Sequence, residues 1–141
     1  MLTNSFIGEL RSIVGESQVS VSRAGTELYA YDASLARGQP GVVVFPADTR
    51  DASMIVRAAN RAGISFVPRG FGTNLSGGTV LPSGGLVICL SRFNRILGIY
   101  PQSRHAVVQP GVTNLELQNA LAPLNFFYAP DPASQKVATL G

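Results

Sequence analysis

The sequence predicts an α+β fold: a small parallel βαβ unit, followed by the opening of an antiparallel α+β unit. Three observations predict it. A β-branched run "GVVVFP" (41–46), a helical pattern beginning at Asp48 and a second apolar run "ISFVP" (64–68) succeed one another at the spacing of a βαβ unit. Three short apolar runs, "GLVICL" (85–90), "RILGIY" (95–100) and "HAVVQP" (105–110), then crowd together with turn residues between them, which suits antiparallel pairing. Between the two textures lies "PRGFGTNLSGGTV" (68–80), with four glycines, one arginine and no acid, lysine, cysteine or histidine. The expected organisation is a lead-in over 1–40, a parallel unit over 41–82 and an antiparallel unit from 83 to 141.

In chain order, Phe6, Leu10, Ile13 and Val14 recur at helical spacing after Thr3 or Asn4 as cap, and Gly15 stops the helix. Residues 16–40 are polar and irregular, and no element is predicted there. Residues 41–46 suit a strand buried on both faces. Asp48 caps a helix whose inner face carries Ala52, Ile55, Val56, Ala59 and Ala62, and Gly63 ends it. The next strand is expected to be parallel to the first, through a right-handed crossover. Thr113 to Glu116, "TNLE", is a capping box that opens a short helix through Leu117, Ala120 and Leu121. The chain closes with "FFYAPDPAS", an extended run, and "KVATLG", which has no polar tail or helix terminator and reads as though cut within a motif.

Composition narrows the function classes. With 141 residues, 45% of them hydrophobic and 13% charged, the chain has the length and core content of one folded domain. The formal charge is +3, carried almost entirely by arginines scattered along the chain. A nucleic-acid surface would concentrate them in a stripe, so no such partner is expected. The single cysteine, Cys89, excludes an internal disulfide framework and fits a reducing compartment. No apolar run approaches the ~18–20 residues of a membrane span, and no secretory leader pattern opens the chain. The expectation is a soluble cytoplasmic protein.

A glycine-rich loop directly after a buried strand places unhindered N–H groups at the carboxyl edge of a sheet, where phosphates bind. Two phosphate motifs are excluded by the letters. Gly72, Gly77, Gly78 and Thr79 fall in P-loop register, but the lysine position holds Gly78. The dinucleotide pattern G-x-G-x-x-G, counted from Gly70 and Gly72, would need glycine at Leu75. What remains is a loop suited to a pyrophosphate held mainly by backbone, with Thr73, Asn74 and Ser76 as supplementary donors. A plain turn between two units is the alternative.

"PRGFGTNLSGG" resembles the pyrophosphate loop of the flavin-binding domain shared by the vanillyl-alcohol oxidase and p-cresol methylhydroxylase group. Within that group the similarity is greatest to the FAD-linked subunit of glycolate oxidase and to D-lactate dehydrogenases. "YAYDAS", "GVVVFPAD", "SRFNRIL", "VVQPGVTN" and "YAPDPASQKVATLG" agree in order, so the resemblance runs from about residue 28 onward. It implies the p-cresol methylhydroxylase type of FAD-binding fold, incomplete, with FAD as cofactor. It places the pyrophosphate against Arg69, Gly70, Phe71, Gly72, Thr73, Asn74, Leu75, Ser76, Gly77 and Gly78. A second flavin segment would begin at Pro130, Asp131 and Ser134 and resume at Thr139 and Gly141, the start of a family loop Thr-x-Gly-Gly-Asn. Arg69 could instead pack against the loop as a structural residue, and Asp131 could be a turn residue between prolines.

The function so implied is FAD binding within an oxidoreductase acting on a small 2-hydroxy acid of the glycolate or D-lactate type. Other oxidase subunits are possible partners. Substrate-binding and proton-accepting residues lie, in the family, beyond residue 141, so no catalytic residue is assigned. A non-catalytic flavin-binding module is the alternative. His105 reads as a surface residue and Cys89 as a small core residue. Tyr29, Tyr31 and Asp32 belong to a family-like segment without assigned chemistry, and no metal constellation is present.

Overall fold

The computed structural model describes residues 2–141. Helix α1 (Asn4–Val14) begins where expected: the Thr3 hydroxyl accepts the Phe6 amide proton at 3.2 Å, and Gly15 ends the helix at φ +91°. Helix α3 (Thr49–Arg61) starts at the Asp48 cap and also ends on schedule, with Gly63 at φ +62°. Its inner face is Ile55, Ala58 and Ala59, whereas Ala62, expected on that face, is the exposed C-cap. An Arg61–Glu9 ion pair joins α3 to α1 at the surface.

The irregular lead-in holds two short elements that the sequence does not predict: strand β1 (Val19–Ser20) and helix α2 (Arg23–Glu27). Neither has enough residues to show a period. Strand β1 exists because it pairs antiparallel with β2 (Val42–Val44), Val19 opposite Val44.

The principal correction concerns the sheet. Strands β2 and β3 (Phe66–Arg69) are parallel but not neighbours, because β4 (Leu86–Cys89) lies between them and pairs parallel with both. The order is β1-β2-β4-β3. The run at 85–90, expected to pair antiparallel with the run at 95–100, is therefore the central parallel strand, and the parallel unit extends to Cys89 rather than ending near residue 82. The physical reason is burial: Leu86, Val87, Ile88 and Cys89 are all inaccessible, as are Val42, Val43 and Val44. Successive side chains serve opposite faces. Val42, Val44, Leu86 and Ile88 pack on α1 and α3 through Phe6, Leu10 and Ile55, while Val43, Val87 and Cys89 pack on Leu81, Tyr29 and Phe45. Only a strand with neighbours on both sides and layers on both faces suits so uniform an apolar run.

Beyond Cys89, β5 (Ile96–Tyr100) and β6 (His105–Val108) form the expected antiparallel pair, with an irregularity between Ile96 and Gly98. The capping box forms in full at α4 (Asn114–Leu121). Val112, Leu117 and Leu121 make a second core with Ile96, Ile99, Phe126 and Leu140. Residues 128–140 wrap the start of α4: Asn114 donates from Nδ2 to the Pro130 carbonyl at 2.7 Å, and Leu140 N–H donates to the Val112 carbonyl at 2.9 Å. The architecture is thus mixed α+β, a parallel-centred sheet beside an antiparallel pair. No helix among the described residues is long and apolar enough to cross a membrane.

Candidate functional site

Strand β3 delivers Arg69 to the carboxyl edge of the parallel sheet, and the glycine loop starts at the next residue. The Arg69 side chain turns beneath its own loop and is only 6% exposed. Its guanidinium lies over the Tyr29 ring, 5.5 Å from the centroid. Gly72, at φ +71°, leaves room for it: a Cβ there would collide with Nη2. The other terminal nitrogen, Nη1, is buried and has no hydrogen-bond partner. In the loop itself, no backbone N–H from Phe71 to Thr79 donates to a protein acceptor among the described residues. A buried cation with a free donor beside a run of free amides is an arrangement that suits an anion.

The loop is held from below by a segment far away in sequence. The Asp32 carboxylate, 7% exposed, accepts on Oδ1 from the Ser34 amide at 2.8 Å and the Ser34 hydroxyl at 2.5 Å. On Oδ2 it accepts from Asn74 Nδ2 at 2.6 Å. The Thr79 hydroxyl lies 3.0 Å from Asn74 Oδ1 and 3.4 Å from Asp32 Oδ2, one proton shared between two acceptors. Ala33 N–H adds a bond to the Gly72 carbonyl at 3.0 Å. The Ser34 hydroxyl is the main reason that the Asp32 carboxyl is held below the usual carboxylate range, against partial burial; Asn74 and Thr79 push the same way. Tyr29 is shifted upward, chiefly by burial and then by its neighbour Cys89.

Six of the sequence-predicted residues, Arg69, Phe71, Gly72, Thr73, Leu75 and Ser134, line one open cleft of about 700 Å³, with Pro132 and Ala133 beside Ser134. The two flavin-like segments, distant in sequence, are thus brought face to face. Gly70 meets the end of the second segment, since a Cβ there would collide with Thr139 Oγ1, and Gly141 packs against Pro110. The remaining residues sit elsewhere. Asn74, expected as a supplementary donor, spends its amide on Asp32. Gly77, at φ +72°, faces Ala36, whose Cβ would lie 3.1 Å from an added Cβ. Ser76 and Gly78 are on the outer turn, away from this cleft. Pro130 contributes its carbonyl to Asn114, and Asp131 is exposed. His105 is exposed too, stacked on Tyr100 at 4.6 Å and 2.8 Å from the Ser103 hydroxyl. Cys89 is core. Sequence reasoning missed the Asp32 network. Its one local signal was a carboxylate two residues before a serine, the pattern of an Asx turn; the partners at 74 and 79 left no trace in spacing.

Comparison with known proteins gives the family. The model of a family described as "FAD binding domain" matches residues 40–141. The glycolate oxidase subunit GlcD of Bacillus subtilis is 37% identical over the whole chain, which spans 30% of that relative. The probable mitochondrial D-lactate dehydrogenase of Danio rerio is 29% identical over 91% of the chain and 26% of its own length. Among solved structures, p-cresol methylhydroxylase with substrate bound superposes with a TM-score of 0.85 at 20% identity, over 96% of this chain and 27% of its own, a likeness of fold. The chain therefore spans less than a third of these two curated relatives. The residues present fit the cofactor these findings indicate: the unpartnered Arg69 Nη1 and the free loop amides suit its pyrophosphate, and the cleft beside them has room for an extended ligand. With a family model covering residues 40–141 and a relative 37% identical over the whole chain, this chain belongs to the FAD binding domain family, and its cofactor is FAD.

Proposed function

We propose that this chain is the FAD-holding part of a flavin-dependent oxidoreductase that oxidises a small 2-hydroxy acid of the glycolate or D-lactate type. The observation that carries the reading is the buried, unpartnered Arg69 Nη1 next to a loop of free amides, with Arg69, that loop and the 132–134 segment lining one cleft. In this reading Arg69 and the amides around Gly72 and Thr73 hold the pyrophosphate. Gly70 lets Thr139 approach, so that the second segment closes the cleft from the other side. Ser134 offers a hydroxyl to the ligand, whereas Asp131 stays a turn residue. Bound FAD supplies the hydride-accepting ring, and this chain positions it. The choice of substrate rests on the relatives' names, a glycolate oxidase subunit and a D-lactate dehydrogenase. The word "subunit" in the former supports further oxidase subunits as partners, and we place the protein in the cytoplasm.

The test is spectroscopic, on the protein that carries this chain. It should purify yellow, with two absorbance bands in the near-visible, and anaerobic glycolate or D-lactate should bleach them. A colourless protein that takes up no FAD would refute the cofactor site. A flavin left unreduced by 2-hydroxy acids but bleached by a 4-alkylphenol would refute the substrate class.

A further inference from the structure

We propose that Asp32 is a positioning residue of the FAD site: through Asn74 and Thr79 it sets the conformation of the pyrophosphate loop from outside the family-matched region. The matched region starts at residue 40, yet the carboxylate that anchors the loop's side chains is on the segment before it. The proposal rests on the reading of residues 69–78 as the pyrophosphate site.

Asp32 lines the cleft, but its carboxylate is turned to the protein. Its two oxygens are saturated, Oδ1 by the two Ser34 donors and Oδ2 by Asn74 and Thr79. A carboxylate is required here because all four groups facing it can donate and none needs to accept. The bond pattern also fixes Asn74, whose amide nitrogen faces Asp32 and whose oxygen faces the Thr79 hydroxyl. With both ends of that side chain committed inward, the turn between Asn74 and Thr79 is closed by side chains, which holds in place the Phe71–Thr73 stretch that lines the cleft. Ala33 N–H on the Gly72 carbonyl fixes the other half of the loop from the same segment. The residues "YAYDAS" thus act as a base plate for the cradle.

Geometry gives a specific rescue. In Asp32→Asn the new amide can keep its oxygen toward Ser34, but its nitrogen then meets the Asn74 nitrogen, and turning Asn74 over relieves that clash only by leaving the Thr79 proton without an acceptor. In Asn74→Asp two carboxylates meet there. In the double variant Asp32→Asn/Asn74→Asp every group is satisfied again: the introduced amide accepts from Ser34 and donates to the introduced carboxylate, which also accepts from Thr79. FAD affinity and apo-protein melting are measured for each variant in the protein that carries this chain. Asp32→Asn should weaken FAD binding by roughly ten- to hundredfold, Asn74→Asp by at least as much, and the double variant should recover about tenfold over either. Thr79→Val, a milder break of the same network, should cost about fivefold and serves should Asp32→Asn not fold. Affinity unchanged in Asp32→Asn or Thr79→Val, or no recovery in the double variant, overturns the proposal. Arg69→Met separates the two readings. If it weakens FAD binding while Asp32→Asn does not, only the role of Asp32 fails; if neither does, the loop is not the pyrophosphate site.

Discussion

Replacing Arg69 by methionine should weaken cofactor binding without lowering stability. Methionine keeps the length and most of the apolar contact of the arginine stem against Tyr29 and removes the charge. In the ligand-free protein Nη1 is buried without a partner. An unsatisfied buried donor costs ~1–3 kcal/mol, more when it is charged. Against this, the cation–π contact with Tyr29 at 5.5 Å contributes ~0.5–1 kcal/mol. The two effects nearly cancel or favour methionine, so the apo protein should melt at the same temperature or a few degrees higher. FAD binding loses a charge-assisted hydrogen bond to the pyrophosphate, about 1.5–3 kcal/mol, which is a roughly ten- to 150-fold weaker dissociation constant. Thermal unfolding of the apo protein and titration with FAD, followed by flavin fluorescence, read the two effects separately. If Arg69→Met melts several degrees lower and binds FAD with native affinity, Arg69 is a structural residue and the anion argument is wrong.

Other expectations come from the same geometry. The flavin should be held non-covalently by this chain, because residues 68–80 contain no histidine or cysteine and Cys89 is only 2% exposed; acid precipitation should release it all, and colour retained on a peptide from 1–141 would contradict this. Asp32, with its folded pKa depressed, contributes stability that is complete above the unfolded value of ~3.9 and is lost as pH falls through the lower folded value. The unfolding free energies of native protein and Asp32→Asn should therefore differ by a constant amount above about pH 5 and converge in more acidic solution; a gap that widens there would contradict the assignment. Gly77→Ala should destabilise the apo protein by ~1 kcal/mol or more, because φ is +72° and Ala36 stands 3.1 Å from the new Cβ, whereas Gly78→Ala, with only Ser76 Oγ at 3.7 Å, should leave apo melting unchanged. Ile55→Ala, at a fully buried position between α3 and the sheet, should cost ~2–5 kcal/mol in urea unfolding, and Met54→Ala, 41% exposed beside it, under about 1.

Helix ends were the most legible part of this sequence, because the signals that set them are local. Thr3, Asp48 and Thr113 each accept an amide proton from the first turn they precede, and Gly15 and Gly63 take positive φ at the ends. The glycine loop was legible for the same reason: its four glycines stand within one short stretch after a strand. Its supports were not. Tyr29, Asp32 and Thr139 reach Arg69, Asn74 and Gly70 only after the chain has folded, and no spacing within the loop encodes them. Asn74 shows the cost of reading a loop alone, since a side chain that looks like a ligand donor turns inward to a carboxylate 42 residues earlier.

The strand order is a different case, because the information was present and outweighed. Pro68 lies within β3 and cannot donate to a ladder, so β3 must be an edge strand, and it is. "LVIC" is apolar at every position, like "VVV" in β2, and both are buried on two faces. "HAVV" in β6 alternates between exposed and half-buried, as a one-sided antiparallel strand does. Burial class therefore groups 86–89 with 42–44 and apart from 96–108. Proximity in sequence argued the reverse and lost, since a strand with no polar face cannot lie in a sheet that has one side open. The consequence reaches the site. With β4 inserted, Arg69 is paired with Cys89 at the carboxyl edge, and the glycine loop leaves from an outer strand. From there it reaches the 29–34 segment, where Arg69 lies over Tyr29 and the Ala33 N–H donates to the Gly72 carbonyl.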